Sequence, residues 1–248
     1  MITVNSAPTG REGSEDLVMN SCEHCTVRDK AVCRSLNAED MERLGRMGRH
    51  QKLSRGQVLQ WEGDESLLIG NVIEGVVKLS ASTRQGKDQT LGIAYPGDFI
   101  GRPFGARSAQ TVTALSEARV CTFRRADFDE FARTHPELEH DMLRRTLDEL
   151  DHLRSWMLLL GHKSAQSKVA SFLLEMAHRL GEPTSDGAGV AFTLPFGRQE
   201  IAEVLGMTIE TVSRQITQLR NDRLVETPGQ RDIVIRDRAT LQDLAEME

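Results

Sequence analysis

Near residue 135 the spacing of apolar residues changes, and that change constrains the fold more than any other feature of the chain. Before it, glycines recur at Gly63, Gly75, Gly86 and Gly97, eleven or twelve residues apart. Short β-prone runs lie around them, at 57–61, 71–80, 90–94, 111–115 and 119–123. Strands of that length, separated by turn residues, predict an antiparallel sandwich or small barrel. After the change, Pro136 stands where a helix can begin. Leu143, Leu147, Leu150, Leu153, Met157 and Leu160 then follow at spacings of three and four. That pattern predicts an amphipathic helix of about 25 residues.

Such a helix either packs in a core or meets a second copy of itself. The remaining faces carry Asp141, Arg144, Arg145, Asp148, Glu149, His152 and Arg154. A narrow apolar stripe on a charged rod favours self-association along a two-fold axis. A second helix is expected from Ser164, its N-cap, to about Leu180, with Val169, Leu173, Met176 and Leu180 facing inward. The glycine-rich loop 181–189 leads into the last segment. There Ile201, Ala202, Val204 and Leu205 form the inner face of one short helix, and Gly206 supplies the left-handed residue at its end. Val212, Ile216 and Leu219 form the inner face of another, entered after Thr208. Two helices joined in this way predict a helix-turn-helix, or else a plain helical hairpin in a protein-binding module. Glu210, Thr211, Ser213, Arg214 and Gln218 lie on the outer face and suit base edges. Residues 224–227 and 232–235 bracket Pro228-Gly229 as a hairpin wing.

Charge sets limits on that reading. The chain of 248 residues carries a net charge of -6, and residues 193–248 hold seven Arg, no Lys and ten acidic residues. Bulk electrostatics therefore argue against nucleic-acid binding, so contact must rest on a few placed side chains. The length predicts two domains. No apolar run is long enough to span a bilayer, so no membrane partner is expected. The N-terminus has no apolar leader segment, which predicts a cytoplasmic protein. Residues 1–20 read as disordered, and Asn37 as the cap of a helix over 38–47.

The chain has four cysteines. Cys22, Cys25 and Cys33 fall within a dozen residues, and Cys121 stands alone in a β-prone run. In an oxidising compartment the four would make two disulfides, and a lone cysteine is often a small buried apolar residue. In a reducing cytoplasm four thiolates suit either tetrahedral zinc or an iron–sulfur cluster, and spacing does not choose between them.

Three motifs carry a resemblance: Gly97-Asp98-Phe99-Ile100-Gly101, Met157-Leu158-Leu159-Leu160 and Glu210-Thr211-Val212-Ser213-Arg214. With the cysteines and the order of elements, the chain from about residue 20 onward resembles the CRP/FNR superfamily of bacterial transcription regulators. The match is to its FNR branch, FnrL-type members in particular. The resemblance implies an α+β protein. Residues 21–135 would form an iron–sulfur loop and an antiparallel, cupin-like β-roll sensor. Residues 136–163 would form the dimerisation helix, and 164–248 a winged helix-turn-helix with its connecting helix. It implies an oxygen-labile [4Fe-4S] cofactor on Cys22, Cys25, Cys33 and Cys121, and a homodimer seam along Leu143, Leu147, Leu150, Leu153, Met157 and Leu160. It further implies double-stranded DNA as partner, read at a TTGAT-N4-ATCAA-like palindrome through Glu210, Ser213 and Arg214. RNA polymerase contacts would fall at the loops 84–88 and 181–189. Such a protein activates or represses transcription in low oxygen and is no enzyme.

The cyclic-nucleotide ligand of other branches is not expected. Arg102 and Pro103 stand where binders carry a glutamate, and Arg107-Ser108 is out of register with the phosphate-binding pair. One departure concerns the seam. The branch's switch is explained by acidic repulsion there, whereas here the nearest acid is Asp151, at its edge. The switch is therefore expected to act on helix register and domain orientation. The alternatives are a regulator of the same fold answering to a small molecule, haem or NO with structural or zinc-bound cysteines, or an iron–sulfur redox protein. The latter lacks any P-loop, Rossmann or nucleophile-elbow signature.

Overall fold

The structure, a computed structural model, describes residues 22–82 and 88–247. The expectations attached to the tail 1–20, to Gly86 and to the loop residues 84–87 lie outside the described residues. Eight strands build the N-terminal half: β1 (Arg49–Leu53), β2 (Val58–Gln60), β3 (Leu68–Glu74), β4 (Val77–Ser82), β5 (Asp88–Ala94), β6 (Phe99–Ile100), β7 (Thr111–Ala114) and β8 (Ala118–Arg124). They pair antiparallel in two four-stranded sheets, ordered β1-β8-β3-β6 and β2-β7-β4-β5. Leu53, Val72, Val77, Ile100, Val112 and Val120 fill the space between them. This is the expected β-roll.

Its detail differs from expectation in three places. The run 71–80 is two strands, because Gly75 takes φ of 74° and turns the chain. A Cβ there would also collide with the Glu117 carbonyl. β1 was not foreseen, since it is an edge strand whose only buried residue is Leu53. The end of the β region is a helix, Arg125–Arg133, with Phe128 and Phe131 buried.

Seven α-helices are described: α1 (Ala38–Met47), α2 (Arg125–Arg133), α3 (Pro136–His162), α4 (Ala165–Leu180), α5 (Arg198–Leu205), α6 (Ile209–Asn221) and α7 (Arg238–Glu246). The caps are those the sequence predicts. Asn37 accepts from the Asp40 amide, Ser164 from the Ser167 amide and Thr208 from the Thr211 amide. Gly206 ends α5 with φ of 62°. The C-terminal sheet comprises β9 (Glu182–Pro183), β10 (Val190–Thr193), β11 (Val225–Glu226) and β12 (Asp232–Ile235), ordered β11-β12-β10-β9. The wing hairpin is thus present and widened by β10.

The two halves share a core. Val76, Tyr95 and Leu115 of the roll pack with Phe172, Met176, Ile201 and Leu205 of the C-terminal half. Tyr95 donates to Met176 Sδ at 3.2 Å, and the Arg179 guanidinium lies 5.0 Å from the Tyr95 ring centre. Arg179 also pairs with Asp98 at 3.2 Å, in the turn of the Gly-Asp-Phe-Ile-Gly motif. The turn of the roll therefore grips the helix that leads into the helix-turn-helix.

Candidate metal-binding loop and nucleic-acid interface

Cys22 opens a 3-10 turn (Cys22–His24), and Cys33 sits in another (Val32–Ser35). Between them, Val27 and Ala31 are buried against Ile73 of β3. That apolar contact seats the loop on the outer face of the roll. Cys121 of β8 comes up beneath it, and Cys25, Cys33 and Cys121 pack on the same three residues. Helix α1 crosses alongside with glycines facing the sulfurs. A Cβ at Gly45 would lie 2.5 Å from Cys22 Sγ, and one at Gly48 3.2 Å from Cys121 Sγ. Side chains there would take the room the sulfurs use.

The electrostatics follow from that crowding. Burial, and then the other cysteines, push the Cys121 thiol up. The same causes push Cys33 up to about 11, against the opposing pull of a backbone hydrogen bond and of Arg145. Cys22 is raised by burial and by Cys25. These thiols stay protonated at neutral pH unless a metal cation ionises them. All four are free of disulfides, and among the described residues no three His, Cys, Asp or Glu side chains are drawn into a closed ligand set. The four thiols are neighbours of the type and number that zinc or an iron–sulfur cluster takes, and the residues present fit such a group.

Asp141 departs from the expected solvated face of α3. It is 3% exposed. Arg145 donates to it at 2.7 Å, Arg34 at 3.1 Å, and Arg144 also pairs with it. Burial alone would lift the Asp141 pKa, but the bonds from Arg145 and Arg34 outweigh it and hold the carboxyl below its usual range. Arg145 reaches further, donating to the Lys30 and Ala31 carbonyls at 2.7 and 2.9 Å. Arg34 is the residue after Cys33, so the cysteine loop is tied to the first turns of α3. The same loop touches the motif turn, since a Cβ at Gly97 would lie 2.8 Å from Lys30 Cβ. A second tie joins α1 to the start of α3, where His135 bonds Asp40 at 3.1 Å and the Phe131 carbonyl at 2.7 Å.

Along α3 the residues expected to form the seam are open. Leu143, Leu147, Leu150, Leu153, Met157 and Leu160 are each 37% to 73% exposed. Leu143, Leu150 and Met157 repeat every seven residues, as do Leu153 and Leu160, which is the spacing of a coiled-coil seam. Asp151 lies beside it and is paired with Arg154 at 2.9 Å.

At the other end, α6 buries Val212, Ile216 and Leu219 and exposes Glu210, Ser213 and Arg214. Arg214 and Ser213 have no partner among the described residues. Glu210 sits in the first turn, where bonds from its own amide and the Thr208 hydroxyl keep it ionised. Thr211 is half-buried against the cap hydroxyl, and Gln218 is engaged with Asp222 at 3.0 Å, so both are less available than Arg214. One cation was missed from sequence. Arg198 opens α5 half-buried, with Nη1 unpaired and its pKa lowered by burial. That nitrogen is buried, so Arg198 does not present it to solvent as a phosphate contact would require.

One recess of the roll, beside Leu59, Gln60, Ile100, Val112 and Thr122, has no space for a water-sized molecule. Arg107 is exposed and donates to the Gly63 carbonyl at 2.7 Å, while Ser108 is buried on Gln60. The loop 181–189 is a tight turn, with Thr184 bonded to Gly189 and Asp186 paired with Arg236 at 2.9 Å. Among the described residues no helix is long and apolar enough to cross a membrane.

A β-roll, a long helix and a winged helix-turn-helix with an exposed, unpaired arginine define a sequence-specific DNA-binding transcription regulator. Comparison with known proteins agrees. Residues 50–135 match the cyclic nucleotide-binding domain family, and 167–244 the Crp-like helix-turn-helix domain family. The chain is 35% identical to the transcriptional activator protein FnrL of Cereibacter sphaeroides, over 98% of this chain and 96% of the relative. It is 38% identical to the nitrogen fixation regulation protein FixK of Bradyrhizobium diazoefficiens, over 80% and 83% of the two chains. The structure of FixK2 from Bradyrhizobium japonicum superposes with a TM-score of 0.75 at 28% identity, covering 81% of this chain and 98% of that one. The chain belongs to the CRP/FNR family of transcription regulators.

Proposed function

We propose that the protein is an oxygen-responsive regulator. In low oxygen it binds a TTGAT-N4-ATCAA-like palindrome as a homodimer, with Cys22, Cys25, Cys33 and Cys121 holding a [4Fe-4S] cluster. The observation that carries this reading is the convergence of those cysteines on one face of the roll, joined through Arg34 and Arg145 to the dimer helix. When bound, such a cluster supplies an oxygen-labile bond between the loop and the roll. Everything else is done by the chain. Val27 and Ala31 seat the loop, Arg34 and Arg145 fasten it to Asp141, and the open leucines of α3 meet their copies. Asp98 and Arg179 hold α4, and through it the orientation of α6. The two recognition helices must stand about 34 Å apart to read successive turns of one duplex face, so a small change in α3 register is enough to lose the match.

Anaerobically purified protein is expected to contain iron and acid-labile sulfide in equal amounts, to absorb in the visible region, and to lose both colour and palindrome binding in air. A colourless protein with stoichiometric zinc supports the other reading instead, a regulator of this family with structural cysteines that answers to a different effector.

The route from loop to seam has its own test. Asp141→Ala takes the carboxylate from Arg34 and Arg145, leaving Arg145 only the Lys30 and Ala31 carbonyls. It should cost roughly 1.5–3 kcal/mol, the range of a hydrogen bond to a charged group, because Arg34 and Arg144 keep part of their hydration. Palindrome binding should then stop responding to air exposure. If palindrome affinity falls on oxidation as much as in the unaltered chain, the route does not run through Asp141.

A further inference from the structure

Asn71 is an oddity on the outer face of the roll. It lies on β3 between Ile69 and Ile73, both buried under the cysteine loop and its neighbours. It is 3% exposed, its Oδ1 is buried without a partner, and its amide makes no side-chain hydrogen bond among the described residues. A strand that alternates apolar residues toward a packed loop gains nothing from an amide there, because its oxygen has lost water and received no bond in exchange.

Its register says what it faces. Asn71 stands directly opposite Cys121. Opposed residues of an antiparallel pair share a face with Cβ atoms about 5 Å apart. Val72 and Val120, the next pair along, point the other way into the roll. Gly70 makes the approach possible, since a Cβ there would collide with the Cys121 carbonyl.

We infer that Asn71 is a positioning residue for the metal site, donating a side-chain N–H to the Cys121 thiolate once the four cysteines hold their metal. This rests on the reading of the cysteines as ligands. A neutral thiol is a weak acceptor and a thiolate a strong one, and the amide turns about its last torsion to present either oxygen or NH2. The amide is therefore idle in the metal-free chain and engaged in the loaded one. Bonds of this kind to ligand atoms fix their orientation and tune the metal's affinity and potential.

The test compares the full-length chain with Asn71→Leu and Asn71→Ser, the latter keeping a short donor. The thermal midpoint of the metal-free protein is measured first. Retention of reconstituted iron, or of Co2+ as a thiolate-sensitive spectroscopic probe, is then followed against a chelator. Asn71→Leu should leave the metal-free midpoint unchanged or raised, yet release metal about tenfold more readily, with Asn71→Ser in between. Two results would overturn the proposal while sparing the cysteine reading: retention equal to the unaltered chain, or an equal loss of stability with and without metal, which marks a packing role only. An unaltered chain that binds neither iron nor Co2+ defeats that reading, and this proposal with it, before any variant is made.

Discussion

Arg214→Ala is expected to weaken binding to the palindrome by about 30-fold to 10^4-fold. A guanidinium that meets guanine O6 and N7 contributes about 1–3 kcal/mol of discrimination. A two-fold dimer loses that contact twice, so about 2–6 kcal/mol goes, at about 1.4 kcal/mol per decade. Little inside the protein offsets this, because Arg214 has no partner among the described residues and its loss leaves no buried group exposed. The chain's net charge of -6 makes the loss more visible. Phosphate attraction supplies most non-specific binding, and a net acidic reading domain has little of it in reserve. Titrations at fixed salt, with matched palindromes and palindromes altered at the guanine of each half-site, separate the two contributions. The variant should bind both alike. Should it still distinguish them as the unaltered protein does, another side chain reads that base.

The second large effect is expected from Leu150→Asp. Leu150 occupies the middle of the open stripe, seven residues from Leu143 and from Met157. In a parallel pair it meets its own copy, so one substitution removes two buried leucines, about 3–6 kcal/mol of apolar burial. It also sets two carboxylates against each other. The dimer dissociation constant should rise by at least about 10^2, and palindrome binding should fall with it, since a single recognition helix reads half a site. The fold of the single chain should survive, because Leu150 makes no part of its core. Sedimentation and thermal unfolding of the same sample give both answers. A variant that stays dimeric places the seam on another face.

Several parts of this were legible in the sequence, each for a local reason. Apolar spacings of three and four reported α3, and caps at Asn37, Ser164 and Thr208 reported where helices begin, because those signals act over one turn of chain. Gly206 marked the end of α5 because a left-handed residue costs glycine nothing. The pattern failed where an element is held by its partners. β1 reads as polar because an edge strand buries little, and the two residues of β6 exist only through pairing with Gly70 and Asn71. Helix α2 follows directly from β8, with no capping side chain to announce it.

The functional sites divide in the same way. Cysteine spacing announced a candidate metal loop, and the exposed polar face of α6 announced a reading surface, because residue type and short-range periodicity suffice for both. Asp141 looked like one more charge on a solvated helix face. It is buried because Arg34, 107 residues earlier, and Arg145 close over it. Asn71 looked like an interruption in a strand until its register set it opposite Cys121.

Composition and periodicity alone thus determined the kinds of element, their order, the four thiols and the apolar stripe, since each depends on neighbours within a few residues. Tertiary structure alone decided that the thiols share one face, that the loop bearing them is fastened to α3, and that the motif turn grips α4. Those facts join residues far apart in the chain. Burial and pairing across such distances depend on how sheets and helices pack, which no local pattern encodes.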